Sequence, residues 1–484
     1  MNRDCNPEKV EELLISHLKE KNVFQMEKSW TIRDSPLSGY GVYANRDIRQ
    51  NELIIVDAPL IIGPRAIGKH LQMCVCCYKK ECALFPCDRG CGLPVCSVEC
   101  KNSSQHANYE CEYLRSLVPN CGTDWSSDLM LAVVPIRALF LTGQQRECLA
   151  TFQSYQADVY YELDLLTKNV VNLPTEEDMK LMKHVCGAFY TNAFETVKVH
   201  DKDHSSSLRA LYPMAALQNH CCVPNTSHHF DAEFRLYVNT TRPISAGEEL
   251  TMTYTSLFWD NTLRRQFLST TKHFSCMCGR CSDSTEFGSK LGALLCASDK
   301  CPGQLLPRDS LNMKSPWACD TCTVIINHRQ IHSIRSGIAA VMEEVLYKTP
   351  RQVFKFMRRE LRHLVPRTNY LLVDVKFRII SYYGKNDGIT WQDLTDGELN
   401  VKANYCNDLL SILDTLGCGD CQKRGLILYE LYCTNFEKMK RFKERPRTEK
   451  VLTSRSYRLV YFIFAFLDGR KRTFVTKSIS HIEK

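Results

Sequence analysis

Cysteine and histidine fall in close pairs between Cys74 and Cys111, and no other feature restricts the folding of this chain so strongly. The pairs are Cys74-x2-Cys77, Cys87-x3-Cys91, Cys96-x3-Cys100 and His106-x4-Cys111, eight soft or borderline ligands within 38 residues. Two tetrahedral zinc ions need eight ligands. Short spacers let two ligand atoms converge on one ion while the chain turns, and a segment too small for its own core gains folding energy from the metal. Burial of free thiols is the competing explanation, and the density of pairs with a terminal His/Cys pair argues against it. Cys76 and Cys82 also lie in the segment, so Cys76 stays open as an alternative first-pair ligand, with Cys74 and Cys77 preferred.

Whether 26 cysteines among 484 residues mean metal or disulfides depends on the compartment. The stretch MNRDCNPEKVEELLISHLKEK scatters charges where a secretory signal needs an uninterrupted apolar run. The longest late apolar run, Leu459 to Leu467, has nine residues, against the roughly 20 that a membrane-crossing helix requires. A cytoplasmic or nuclear protein with no membrane partner is expected, in a reducing setting where paired cysteines mean zinc. The net charge of +8 is spread along the sequence. That is too thin for a phosphate-neutralising face, and with no recognition helix evident, direct sequence-specific nucleic-acid binding is not expected.

Downstream, Cys276-x-Cys278-x2-Cys281 supplies three ligands and needs a fourth, for which Cys222 is the best candidate. Cys296-x4-Cys301 and Cys319-x2-Cys322 have the spacing of the two knuckles of a zinc ribbon. Three zinc ions are therefore expected, and a fourth if the ribbon holds one. Cys418-Gly-Asp-Cys421 has no matching pair nearby and reads as a helix-to-helix turn.

The fold class expected is α+β. Val10, Leu13, Leu14 and Leu18 stand at helical spacing in an N-terminal helix that docks on the body (residues 1–29). Residues 30–73 read as three short strands, from WTIRD, GYGVYA and ELIIVDAPLII, with turn chemistry between them. The cysteine-dense segment (74–111) and an apolar helical stretch (112–185) interrupt this β material. It resumes over 186–258 in FRLYVN and LTMTYT, joined by PISAGEE. A cysteine-rich region (259–322) follows, and then residues 323–484, which are helical. There Thr349 serves as N-cap, Pro350 opens the helix, and Val353, Met357 and Leu361 align on one face. Stacked hairpins of tetratricopeptide type can exist there without their consensus. The basic cluster Lys438 to Arg447 reads as a solvated helix face as readily as a nuclear-entry signal.

One segment combines groups that an ordinary element does not need. LYPMAALQNHCCVPN sets Asn219, His220 and Asn225 among apolar residues, where amide and imidazole groups are costly unless hydrogen-bonded. GEELTMTY then places Tyr254 at the end of a strand, from which a phenol reaches into a cleft.

NHCCVPN followed by GEELTMTY resembles the SET domain of protein lysine methyltransferases. With the cysteine finger splitting it and a cysteine-rich tail behind, including TTKHFSCMCGRC, the chain is similar to the SMYD (SET and MYND domain) family, and within it to the arthropod SmydA branch. The resemblance covers residues 30 to 322. It implies a β-rich SET domain split by a MYND zinc-finger insertion, a cysteine-rich post-SET segment and a tetratricopeptide-like α-helical C-terminal domain. In the finger it implies that the first and third pairs share one ion and the second and fourth the other. The x4 spacer of the last pair is one residue longer than usual.

The resemblance also implies a function: S-adenosylmethionine-dependent methylation of a lysine in a protein substrate. Gly39 and Gly41 of SGYG match the turn that approaches S-adenosylmethionine, and Asn192 of FYTNAF matches an asparagine that contacts it. Asn219 and His220 match the pair holding the adenosine portion, and Phe274 the aromatic packing near adenine. Tyr254 matches the catalytic tyrosine beside the transferring methyl. Cys222 matches the ligand that joins the three later cysteines. Finger and helical domain are implied to bind protein partners, and a catalytically silent adaptor using both is the alternative function. Two positions depart from the pattern: Lys272 stands where tyrosine is usual in the wall of the lysine channel, and Ala216 where serine is usual near the cofactor. A cation at 272 either repels a substrate ammonium or fills its channel.

Overall fold

The computed structural model of the protein describes residues 6–37, 39–65, 72–201, 204–386 and 388–444. Ser38 of SGYG, the end of the Lys438 to Arg447 cluster, the run Leu459 to Leu467 and the rest of 445–484 lie outside the described residues. Contacts divide the chain into two compact units. One takes the described residues up to Asn219, with His228–Asn239 and Ile244–Leu250; the other takes His220–Ser227, Thr240–Pro243 and the described residues from Thr251 onward.

In the first unit, Asn6 caps a helix, Pro7–Glu20, by accepting from Lys9 N. Its apolar face, with Val10, Leu14 and Leu18, packs against Trp30, Ile32, Val42, Ile54 and Ile55. The strands Trp30–Asp34 and Tyr40–Ala44 pair antiparallel with Ile32 opposite Val42. Glu249–Leu250 adds to the other edge of Tyr40–Ala44, Leu250 opposite Val42 and Glu249 opposite Tyr43. This register brings a residue of the GEEL segment beside the SGYG turn, some 200 positions earlier. A second small sheet runs in the order Leu53–Asp57, Leu236–Thr240, Thr226–Phe230.

A third sheet, ordered Ile61–Pro64, Ser205–Leu211, Phe194–Val199, was not anticipated from the sequence. Ser205–Leu211 opens with three serines, yet alternate positions Ser206, Leu208 and Ala210 are buried. Polarity masks the period-2 pattern where a serine takes an inward position. The helix Glu176–Asn192, capped by Thr175, also carries through residue 185, where the sequence reading places the end of the helical insertion.

At the centre of this unit's helical layer is Ser127–Ala138, buried from Leu129 to Ala138 and packed against Leu93, Val95 and Leu114 of the cysteine-rich segment. A helix buried on all sides carries no amphipathic signal. Its one buried charge, Arg137, donates to Glu110 (Nε to Oε1, 2.5 Å) and to the Ile62 and Val75 carbonyls.

The second unit contains a four-stranded antiparallel sheet, Leu294–Leu295, Gln304–Pro307, Trp317–Cys319 and Ile325–Ile326. Helices His328–Leu346, Pro350–Arg359, Tyr370–Tyr382, Asp396–Leu416 and Gln422–Glu444 follow. Thr349 and Gln352 form a reciprocal capping box before Pro350, and Val353, Met357 and Leu361 are buried, as their spacing indicates. Gly417, at φ 70°, ends Asp396–Leu416, and Cys418 and Cys421 are buried in the turn that follows. Among the described residues no helix is long and apolar enough to cross a membrane.

Candidate active site and metal centres

Among the described residues, four groups of four ligand atoms each lie within 4.8 Å of one another. They are Cys74, Cys77, Cys96 and Cys100; Cys87, Cys91, His106 and Cys111; Cys222, Cys276, Cys278 and Cys281; and Cys296, Cys301, Cys319 and Cys322. Four ligand atoms about 2.3 Å from one ion stand roughly 3.8 Å apart at the corners of a tetrahedron. The sulfurs of Cys77 and Cys96 are 3.5 Å apart, those of Cys87 and Cys111 3.9 Å, those of Cys222 and Cys276 3.9 Å, and those of Cys301 and Cys319 3.8 Å. These spacings are too long for disulfides and suit a shared ion, and all-sulfur or sulfur–imidazole tetrahedra fit zinc. Cys76 is not one of the four ligands of the first group, although its thiol interacts with that of Cys74; its sulfur is directed at the Cys100 carbonyl (2.9 Å) and Ser103 Oγ (3.2 Å).

The long spacer between His106 and Cys111 is absorbed by the backbone. At 100° per residue, an α-helix would turn positions i and i+5 to well-separated faces, whereas i and i+4 nearly coincide. His106–Glu110 instead forms a π-turn, with Cys111 N donating to the His106 carbonyl. A π-turn has about 4.4 residues per turn, so positions five apart come back to one side. His106 Nε2 consequently lies 3.4 Å from Cys87 Sγ and 3.8 Å from Cys91 Sγ. Its Nδ1 faces Glu110 Oε2 at 3.4 Å, and Glu110 is in turn held by Arg137. A carboxylate behind a ligating imidazole fixes its tautomer and raises its basicity.

The expected cofactor residues fall in two sets. In the first unit, Asn219 Nδ2 donates to Glu249 Oε1 (2.7 Å) and to the Tyr40 carbonyl (3.1 Å). The Glu249 carboxylate also accepts from Ser35 Oγ (2.9 and 3.0 Å) and Tyr43 OH (3.3 Å). Gly39 adopts φ 52°, and a Cβ on Gly41 would collide with Glu249 Oε1 and lie 3.1 Å from Asn219 Nδ2. What Gly41 makes room for in this structure is therefore the Asn219–Glu249 pair. Asn192 ends its helix with Nδ2 donating to the Gln153 (2.8 Å) and Ala188 (3.0 Å) carbonyls. Ala216 sits in the 3-10 turn Ala215–Leu217. Glu249 is the residue that sequence reasoning missed. Its position inside GEEL was visible, but its role follows only from the strand pairing.

In the second unit His220 is 5% exposed, and burial holds its pKa down at about 4. The neutral ring has one acceptor and one donor. Nδ1 accepts from Tyr254 N (2.9 Å), so the proton resides on Nε2, which faces Cys222 Sγ at 3.2 Å. His220 thus ties the Tyr254 backbone to the cysteine quartet. Tyr254 does not end a strand as expected, because the GEEL strand stops at Leu250. Past it, Thr251 N donates to Asn225 Oδ1 (2.8 Å) and Tyr254 N to His220, so side chains replace ladder partners and the chain bends. The Tyr254 and Phe274 rings lie 5.2 and 6.0 Å from the His220 ring, and Phe274 is 37% exposed. Lys272 Nζ sits over the Tyr254 ring, 5.6 Å from its centroid.

Behind the third quartet are two more residues that the sequence did not single out. Arg264 and Arg280, both essentially fully buried, share Glu286 Oε2 (2.5 and 3.0 Å). Arg264 Nη2 lies 3.6 Å from Cys281 Sγ, and Arg280 donates to the Cys222 carbonyl (3.2 Å). A Zn²⁺ with four thiolates carries a net charge of about −2, which two guanidiniums and one carboxylate partly offset.

The SET domain family model matches residues 39–255. SET domain-containing protein SmydA-8, isoform B, of Drosophila melanogaster is 32% identical over 445 residues, spanning 89% of this chain and 96% of that protein. Histone-lysine N-methyltransferase ASHR1 of Arabidopsis thaliana is 22% identical, spanning 66% of this chain and 69% of its own length. Histone-lysine N-methyltransferase SMYD3 of Mus musculus is 25% identical over 50% of this chain and 59% of its own. With a SET domain at 39–255 and near full-length likeness to a SmydA protein, this chain belongs to the SMYD (SET and MYND domain) family, on its SmydA branch.

Proposed function

We propose that the protein is an S-adenosylmethionine-dependent protein-lysine N-methyltransferase. The observation that carries this reading is the placement of Tyr254: its backbone is fixed by His220, and its ring stands beside His220 and Phe274. Relatives that carry the histone-lysine N-methyltransferase name support it. The cofactor supplies an electrophilic sulfonium methyl. Cofactor-binding roles are assigned to Gly39, Gly41, Asn192 and Asn219 in the first unit and to His220 and Phe274 in the second, and the Tyr254 phenol orients the acceptor amine. Positioning and exclusion of water supply the rate, with no covalent enzyme intermediate. Zinc fills the four ligand groups. Residues 74–111 act as a MYND finger, and the finger and the helical domain engage protein partners.

Calorimetry with S-adenosylmethionine tests the cofactor site: binding that weakens in Asn219→Ala supports it, and no binding by zinc-loaded protein refutes it. Methyl transfer to a protein array, set against Tyr254→Phe, tests turnover. Undiminished transfer in that variant contradicts the role given to Tyr254.

A further inference from the structure

We propose that Lys272 is itself a methyl acceptor of this site, held at the Tyr254 ring as an acceptor in cis; this rests on the lysine-methyltransferase reading above. Lys272 closes a second π-turn, Leu268–Lys272. Beyond it His273 takes a left-handed φ of 59°, and Phe274 N donates to the Leu268 carbonyl (3.4 Å), so the chain reverses within two residues. Leu268 on one side and Cys276 on the other are both buried in one cluster with Cys222 and Cys281, and Tyr254 packs against that cluster. The backbone that carries Lys272 is thereby pinned at both ends close to the tyrosine that would orient an acceptor.

An acceptor delivered by the chain needs no bimolecular encounter. An outside lysine, by contrast, has to bring its ammonium against the positive charge that already sits over Tyr254. Burial also draws the amine pKa of Lys272 below its ordinary value, which raises the neutral fraction able to act as nucleophile. In the step itself, the Nζ lone pair forms a bond to the methyl carbon, and the carbon–sulfur bond breaks with its electrons left on sulfur. The alkylated nitrogen then gives up a proton to water. The products are Nε-methyl-lysine at 272 and S-adenosylhomocysteine.

The test uses full-length, zinc-loaded protein with S-adenosylmethionine carrying a deuterated methyl group. Intact mass should rise by one or more labelled methyl groups, peptide mapping should place them at Lys272, and Lys272→Arg should lose them. Over about a tenfold dilution of enzyme the first-order rate should hold constant, as an intramolecular step requires. A second readout needs no turnover. When the cofactor-free protein is reductively methylated with 13C-formaldehyde, the Lys272 dimethylamine signal should be displaced by the ring current of Tyr254, and Tyr254→Leu should return it to the position of ordinary surface lysines.

If S-adenosylmethionine binds by calorimetry but Lys272 gains no label, this inference falls and the methyltransferase reading stands. Label that maps to other lysines alone, a rate that rises in proportion to enzyme concentration, or a Lys272 signal indifferent to Tyr254→Leu also overturns it. Failure to bind the cofactor overturns both.

Discussion

Glu249→Ala should weaken S-adenosylmethionine binding about tenfold without unfolding the protein. The carboxylate receives Asn219 Nδ2 at 2.7 Å and both contacts of Ser35 Oγ at 2.9 and 3.0 Å. A hydrogen bond to a charged group contributes about 1.5–3 kcal/mol. Asn219 keeps its second bond, to the Tyr40 carbonyl at 3.1 Å, so its amide is loosened and not released. We therefore take a value just under that range, about 1.4 kcal/mol, which is tenfold in affinity. Tyr43→Phe removes the 3.3 Å contact to Glu249, together with a 3.3 Å bond to the Asp34 carbonyl, while leaving the Asn219–Glu249 bond in place, and is the control, with a loss of less than about threefold. Titration calorimetry at fixed pH gives the dissociation constants, and far-UV circular dichroism checks the fold. Equal affinities of Glu249→Ala and wild type would refute the argument that Glu249 positions Asn219, as would an equal loss in Tyr43→Phe.

Zinc analysis by inductively coupled plasma mass spectrometry should give four ions per chain, one for each ligand group; a value of one would overturn the assignments. Glu110→Ala removes the partner of His106 Nδ1 and should weaken zinc retention in the finger by about 10–100-fold in a chelator competition assay, while leaving the post-SET site unchanged. Glu286→Gln leaves two buried guanidiniums without their carboxylate and should cost about 3–5 kcal/mol in urea unfolding; a loss below 1 kcal/mol would show that the metal thiolates alone suffice as counter-charge. His228, packed between Phe194 and Phe230, is held neutral by burial, with its pKa down at about 4. Because the unfolded imidazole titrates near 6.5, its contribution is complete above that pH and is lost as pH falls toward 4, to a total of about 3 kcal/mol. Wild type should thus lose more stability than His228→Gln between pH 7 and pH 4, and parallel losses would exclude the effect.

The metal groups were legible because ligand chemistry is local. Each short spacer brings two ligand atoms within reach of one ion, and even the fourth member of the third group, Cys222, was found 54 residues before Cys276. NHCCVPN and GEELTMTY were legible as motifs, but the work of their side chains was not. That Asn219 is held by Glu249 depends on the register that pairs Glu249–Leu250 with Tyr40–Ala44, and the bend at Tyr254 depends on an imidazole displacing a ladder partner. Arg264, Arg280 and Glu286 look like surface charges in the sequence. Only their common burial in three dimensions turns them into a charged core. The serine-rich strand Ser205–Leu211 stayed hidden because small polar residues satisfy an inward position without advertising it.

The widened turn at His106 bears on how such fingers are recognised at all. A search pattern that counts letters between ligands rejects a chain with one letter too many, although the backbone can spend that letter on a broader loop and return the imidazole to its station. Angular position, not letter count, is what a metal ion selects. Fingers with lengthened histidine spacers should accordingly be sought wherever the intervening residues are helical.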